Sequence, residues 1–273
     1  MKIVEFRIFM PFQLPWCRAA SKYAVNRRTT EESGGGDGFE IVEADNFEEN
    51  GQVGRHVHRI LHFKNQVPAA IRWAVPEKYS SIHEDNRNCF PHYQANFFIP
   101  NLGDDLIFDT ETKHFEYEKG TPLEEFLENT LNNVMGFSQK ELKKRQIVYL
   151  DILDGKESKN KQFDIHGYSF EEGGIPPFPT KKSHSDSSKP PHWLKGYDGP
   201  LVCIVKTVKF RLKFHGIQSF VEKYVTQTIM PQTYLDTHRS MLIWINEWFH
   251  MSEEDLMNLE NKTKDSLAQN TYE

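Results

Sequence analysis

Apolar and polar positions alternate over several short stretches of this chain, the spacing of half-buried strands whose successive side chains point to opposite faces. The alternation predicts strands at Ile3 to Met10, Phe39 to Ala44, Val57 to Phe63, Tyr93 to Ile99, Leu106 to Thr110, Ile147 to Leu153 and Leu201 to Phe214. In "GRHVHRILHF", Val57, Arg59, Leu61 and Phe63 share one face, and His56, His58, Ile60 and His62 the other. The first face is apolar except for a guanidinium, and a buried charge needs a partner.

Elsewhere the spacing lengthens to that of helices. A helix is predicted over Leu14 to Thr30, stopped by "SGGGDG" at Ser33 to Gly38, because glycine tolerates the positive φ found at helix ends. That glycine run precedes a strand instead of opening a helix, so it does not read as a phosphate loop. "TPLEEFLENTLNNVM" predicts a helix with Thr121 as its cap, Pro122 in the first turn and Glu124 closing a capping box, and Ser138 with Glu141 repeats the pattern. From Gln218 to about His250 apolar residues recur at helical spacing, with Pro231 expected to kink the run. Ser252 caps a last helix with an acidic first turn. Strands first and long helices last suggest an α+β fold in which helices grip one face of an antiparallel sheet.

Composition narrows the function. A chain of 273 residues can bury a sizeable core, and its formal net charge of -6 argues against a dedicated nucleic-acid binder. Three scattered cysteines suit neither a disulfide framework nor a clustered metal site, which favours a reducing, cytoplasmic setting. "MKIVEFRIFMP" alternates like a strand and lacks the apolar block of a signal peptide. No apolar run approaches the roughly eighteen residues of a spanning helix. Between Gly155 and Pro200 the chain turns rich in Lys, Ser, Gly and Pro, the composition of a long, mobile surface loop.

Candidate chemistry is sparse. His56, His58 and His62 on one strand face could chelate zinc, as a metal-dependent hydrolase would require, or could be the solvated face of an antiparallel strand. No nucleophile elbow, phosphate loop or zinc-protease helix motif occurs. Phe97, Phe98, Ile107 and Phe108 are suited to lining an apolar interior, and equally to ordinary core packing.

Longer motifs are more specific. "THRSMLIWINEWFHMSEEDLMNLE" from Thr237 resembles the C-terminal segment of phosphatidylinositol transfer proteins, with its His-Arg pair, tryptophans and acidic helix start. "EFRIFMP", "SGGGDGFEIV", "VPAAIRWAVPE", "IHEDNRNCFP", "IVYLDI" and "HGIQSFVE" match the same family in order. The resemblance is weakest at Lys113 to Arg145 and across the Lys/Ser/Pro loop. It implies a single domain over 1–273 with a helical insertion near 119–145 and a mobile loop near 155–200. The implied fold is a StART-like helix-grip: a curved, mostly antiparallel sheet closed by long helices around a lipid cavity.

The resemblance further implies a monomeric, cytoplasmic carrier that visits membranes transiently and is not an enzyme. It would exchange phosphatidylinositol or phosphatidylcholine, with the bound phospholipid as its ligand and no cofactor or metal. Arg59 stands where the family has a lysine that meets the inositol headgroup; Asn88, Thr112 and Glu260 match further headgroup contacts. Val57 replaces a threonine important for inositol binding, and Ser21 and Ala95 replace larger or more polar residues. Selectivity could therefore favour a choline lipid or phosphatidic acid, and a sensor that binds without transfer is the other alternative. Phe214 and His215 occupy the place of two membrane-docking tryptophans, Trp73 lies in the segment that opens for exchange, and Thr180 falls near a phosphorylated serine.

Overall fold

The computed structural model describes residues 1–34, 37–49, 51–63, 76–154, 163–170, 172–176 and 184–269. Eight strands, β1 (Lys2–Met10), β2 (Gly38–Glu49), β3 (Gln52–His62), β4 (Ser81–Cys89), β5 (His92–Phe98), β6 (Leu106–Glu116), β7 (Arg145–Leu150) and β8 (Val202–Leu212), form one sheet in the order β2-β3-β4-β5-β6-β8-β1-β7. Every pairing is antiparallel except that of β1 with β7.

All seven expected strands are present, and β4 is an eighth. "SIHEDNRNC" carries almost no apolar signal, yet it lies between β3 and β5 with Ile82, Glu84, Asn86 and Asn88 on one face. Pairing on both edges satisfies its backbone, so a polar sequence can be a central strand. Gly38 opens β2 where a Cβ would stand 2.5 Å from the Cα of Ser33, at φ +131°. Gly38 thus serves a close approach between the helix end and the strand.

Helices cover one face, here called inner. The N-terminal helix spans Leu14–Glu31, and the final helix, Glu253–Leu267, starts in a capping box between Ser252 and Asp255. The long C-terminal run is composite: Gln218–Tyr224, a widened π-helical turn at Val225–Ile229, then Met230–Ile243. The turn widens just before Pro231, which has no amide hydrogen to donate and would crowd the preceding carbonyls of a regular helix. The run breaks at Trp244 and resumes as one turn, Ile245–Trp248. Phe6, Ile8 and Met10 of β1 share a buried core with Cys17, Ala20 and Ala24 and with Met241, Leu242, Ile245 and Trp248. Arg239 is fully buried and donates to the carbonyls of Ile152 (2.8 Å) and Asp154 (2.6 Å), fastening the composite helix beyond the end of β7.

The insertion departs from expectation. Thr121 does not cap a helix; Pro122 holds that position with no side-chain cap, and helix persists only through Leu123–Glu125 before a π turn at Phe126–Thr130. Asn133 explains the return of the chain, because its side chain bonds both the amide and the carbonyl of Phe137 in competition with a helix. The expected Ser138–Glu141 capping box is present. Leu131 and Phe126 are buried against Phe9, Tyr149, Cys203 and Val205 on the outer face. The insertion therefore covers one end of the face opposite the long helices. Arg7 holds it there, donating to the Leu131 carbonyl (2.7 Å) while paired with the buried Glu5.

The Lys/Ser/Pro stretch, expected as a surface loop, is anchored where it is described. Phe163, Ile165, Phe170 and Ile175 are buried in the main core, and the Ser187 carbonyl accepts from the Tyr149 amide at 2.8 Å, extending the sheet edge. Its few apolar residues are spaced as anchors, a pattern that average composition conceals.

Candidate functional site

Strand register builds the site. Arg55 faces Asn88, Asn88 faces Tyr93, Tyr93 faces Thr112, and Thr112 faces Lys206, one inner-face row crossing five strands. The next row runs Val57, Asn86, Ala95, Thr110 and Val208, and the one after it Arg59, Glu84, Phe97, Phe108 and Phe210. The first row is polar, whereas the third becomes aromatic: Phe97 stacks on Phe108 at 4.4 Å, and Phe108 meets Phe210 edge-on at 5.1 Å. Phe98 and Ile107, also expected to line an interior, point to the outer face, where Phe98 stacks on His83 at 5.0 Å. In a strand, neighbours cannot line the same cavity.

The polar row is short of partners. Lys206 donates to the Thr112 hydroxyl at 3.3 Å, lies 5.0 Å from the Tyr234 ring, and has no carboxylate partner among the described residues. Burial pushes its ammonium down to about 8. Burial likewise raises the Tyr93 and Tyr234 phenols, whose hydroxyls make no hydrogen bond among the described residues. Asn88 makes no side-chain bond there either, and the buried Asn86 Oδ1 and His238 Nε2 have no partner. Lys206, Tyr93 and Tyr234 nevertheless retain some accessible surface. Buried polar groups are normally satisfied, so a band of unsatisfied ones has capacity for a polar guest.

The two histidines that interact electrostatically with Lys206 are held neutral. Burial, opposed by its bond to the Pro91 carbonyl and aided by repulsion from Lys206, lowers His114 to about 4; burial holds His238 well below its usual value.

Arg59, singled out from sequence, donates through Nε to Glu84 at 2.6 Å and lies 4.8 Å from the Phe39 ring. Glu84 also accepts from Asn86 at 2.9 Å. Glu260 of the final helix accepts from Arg55 at 2.7 Å. Asn88 and Thr112 share one row, with Glu260 joined to it through Arg55, whereas Val57 and Arg59 lie one and two rows away. Ser21 is half-buried on the N-terminal helix, beside Lys22, which pairs with Glu253. Phe214 is half-buried edge-on to Tyr79 at 6.2 Å, and His215 is exposed. Trp73 and Thr180 lie outside the described residues.

Sequence reading missed Arg55 and Lys206. Arg55 could have been found, since it shares a face with Val57 and Arg59; Lys206 is unremarkable until a helix covers it.

The histidines of β3 do not converge. His56 faces Asp85 (3.2 Å), His62 faces Glu40 (3.2 Å), and His58 Nε2 lies 3.1 Å from His83 Nδ1. Among the described residues no group of three or more His, Cys, Asp or Glu is placed to hold a metal ion. Nor is any described helix long and apolar enough to cross a membrane.

The family model described as Phosphatidylinositol transfer protein matches residues 1–265. The chain belongs to the phosphatidylinositol transfer protein family. It is 28% identical to the Phosphatidylinositol transfer protein beta isoform of Mus musculus over 269 residues, covering 97% of this chain and 93% of that protein. Against Phosphatidylinositol transfer protein 1 of Dictyostelium discoideum it is 27% identical over 278 residues, covering 100% and 97%. Phosphatidylinositol transfer protein 4 of the same organism is 28% identical over 275 residues, covering 100% and 77%.

Proposed function

We propose that this protein is a carrier, not a catalyst, that holds one phospholipid beneath its helices and exchanges it between membranes. Two acyl chains hold roughly thirty methylenes, and at about 0.8 kcal/mol each their exposure to water costs on the order of 20 kcal/mol. A carrier offsets that cost with an apolar interior, and Phe97, Phe108, Phe210 and Val208 supply one. On this reading the sheet and helices form a StART-like helix-grip, one unit over 1–273, working as a monomer in the cytoplasm with transient membrane contact.

The observation that carries the reading is Lys206, an ammonium deep under the composite helix whose one hydrogen bond among the described residues is to Thr112. A buried charge is stable only when compensated. The phosphodiester common to phosphatidylinositol and phosphatidylcholine supplies one negative charge there. Strands lie about 4.8 Å apart, so Asn88 on β4 is roughly 10 Å from Thr112 on β6, within reach of a headgroup extending from that phosphate. Phe214, His215, Trp73 and the Glu260 helix are then parts of the docking and exchange surface, with Thr180 a regulatory position.

Incubation with donor and acceptor vesicles, followed by extraction of bound lipid, tests this. One phospholipid per chain and protein-dependent exchange are expected, and Lys206→Ala should lower both. Absence of bound lipid overturns the proposal; stable loading without exchange replaces the carrier with a sensor.

A further inference from the structure

Arg55 approaches Glu260 through both Nε and Nη2 at 2.7 Å and bonds the Asn46 Oδ1 through Nη1 at 3.1 Å. The pair is half-buried, with side-chain exposures of 27% and 20%, and stands at the far end of the row that begins at Lys206. Three cations therefore face inward along the polar and aromatic rows, Arg55, Arg59 and Lys206, against two carboxylates, Glu260 and Glu84. Of the three cations, Lys206 is the one with no carboxylate partner among the described residues. Two aromatic faces beside these rows already carry a cation of the protein: Phe39 lies under Arg59 at 4.8 Å and Tyr234 under Lys206 at 5.0 Å.

We propose that Arg55 determines headgroup selectivity, holding Glu260 in an internal ion pair so that the site takes phospholipids without a positive charge and rejects quaternary ammonium headgroups. The inference rests on the phospholipid-carrier reading above. A headgroup whose only charge is its phosphate balances Lys206 and leaves both ion pairs intact. A choline headgroup brings its own cation beside Arg55 and finds Glu260 already paired. Hydroxyls of a polyol headgroup can bond Asn88 and the outer lone pairs of Glu260 without displacing Arg55, and a bare phosphomonoester can add a bond to Arg55 itself.

The test uses the full chain equilibrated with vesicles holding equal shares of phosphatidylinositol, phosphatidic acid and phosphatidylcholine, with bound lipid counted by mass spectrometry. The wild type should hold the choline lipid at about one-tenth or less of its vesicle share, a difference of roughly 1.4 kcal/mol; the two other lipids show whether a polyol or a bare phosphate is preferred. Arg55→Gln leaves Glu260 as a free counter-ion for ammonium, so the choline fraction should rise several-fold while total lipid stays at one per chain. Arg55→Lys should keep the wild-type ratio. Choline lipid at its full vesicle share in the wild type, or an unchanged ratio in Arg55→Gln at full loading, overturns the proposal. Failure of every variant and the wild type to load any lipid rejects the carrier reading instead.

Discussion

The Arg59 guanidinium donates to the Glu84 carboxylate at 2.6 Å across neighbouring strands, with side-chain exposures of 19% and 6%. Removing one member of such a pair leaves an uncompensated buried charge. Glu84→Ala should therefore lower stability by about 3 kcal/mol, read as a lower urea midpoint with an unchanged slope. Glu84→Gln, which still accepts from Arg59, should cost less; equal losses would show that charge is not the source.

Val57 faces Asn86 across β3 and β4, and the Asn86 Oδ1 is buried without a partner. A threonine at 57 keeps the branched shape and places a hydroxyl donor beside that oxygen. Val57→Thr should stabilise the empty protein by about 1 kcal/mol and raise the bound share of inositol lipid. A destabilised variant would mean that the hydroxyl meets an apolar neighbour instead.

Lys206 has its pKa depressed to about 8 by burial. An anionic guest needs the protonated form and raises the pKa on binding, so lipid affinity should be flat below pH 8 and fall by up to tenfold per unit above it. The empty protein should show the opposite trend. Its unfolded chain binds the proton more readily between about 8 and 10.5, so stability should rise with pH across that window. Both slopes should disappear in Lys206→Met.

His114 donates through Nδ1 to the Pro91 carbonyl at 2.9 Å, and burial, with repulsion from Lys206, holds its pKa at about 4. In the unfolded chain it takes a proton near pH 6.5, so folding loses stability as pH falls from there towards 4. Between pH 7 and pH 5 the loss from this residue should be about 2 kcal/mol, with His238 adding to it. Urea midpoints at the two pH values check this, and a smaller difference is expected in His114→Gln.

Leu131, part of the insertion, is fully buried against the outer face of the sheet. Leu131→Ala should destabilise the protein by about 3 kcal/mol while leaving lipid loading at one per chain. Loss of lipid at full folding would show that the two faces of the sheet are coupled.

The elements legible in sequence were those whose cause is local. Alternation located seven strands and assigned His56 to His62 of β3 to their faces, and Pro231 fell at the disturbed turn of the composite helix. Ser138 and Ser252 announced their capping boxes because the partner is three residues away. β4 was not legible, since its stability comes from pairing on both edges and from no apolar pattern of its own. Thr121 suggested a cap that the chain does not use, since Pro122 takes the capping position with no side-chain cap.

By itself, the sequence determined the alternation, the caps and the motifs that place the chain in its family. Tertiary structure alone decided which charges met: Arg59 with Glu84, 25 residues away, and Arg55 with Glu260, 205 residues away. It also decided that Lys206 would have no carboxylate partner among the described residues. Periodicity assigns a face but carries no register between strands, and an ion pair depends on a few ångströms of register. A charged side chain acquires its chemical role only when the rest of the chain has settled what surrounds it.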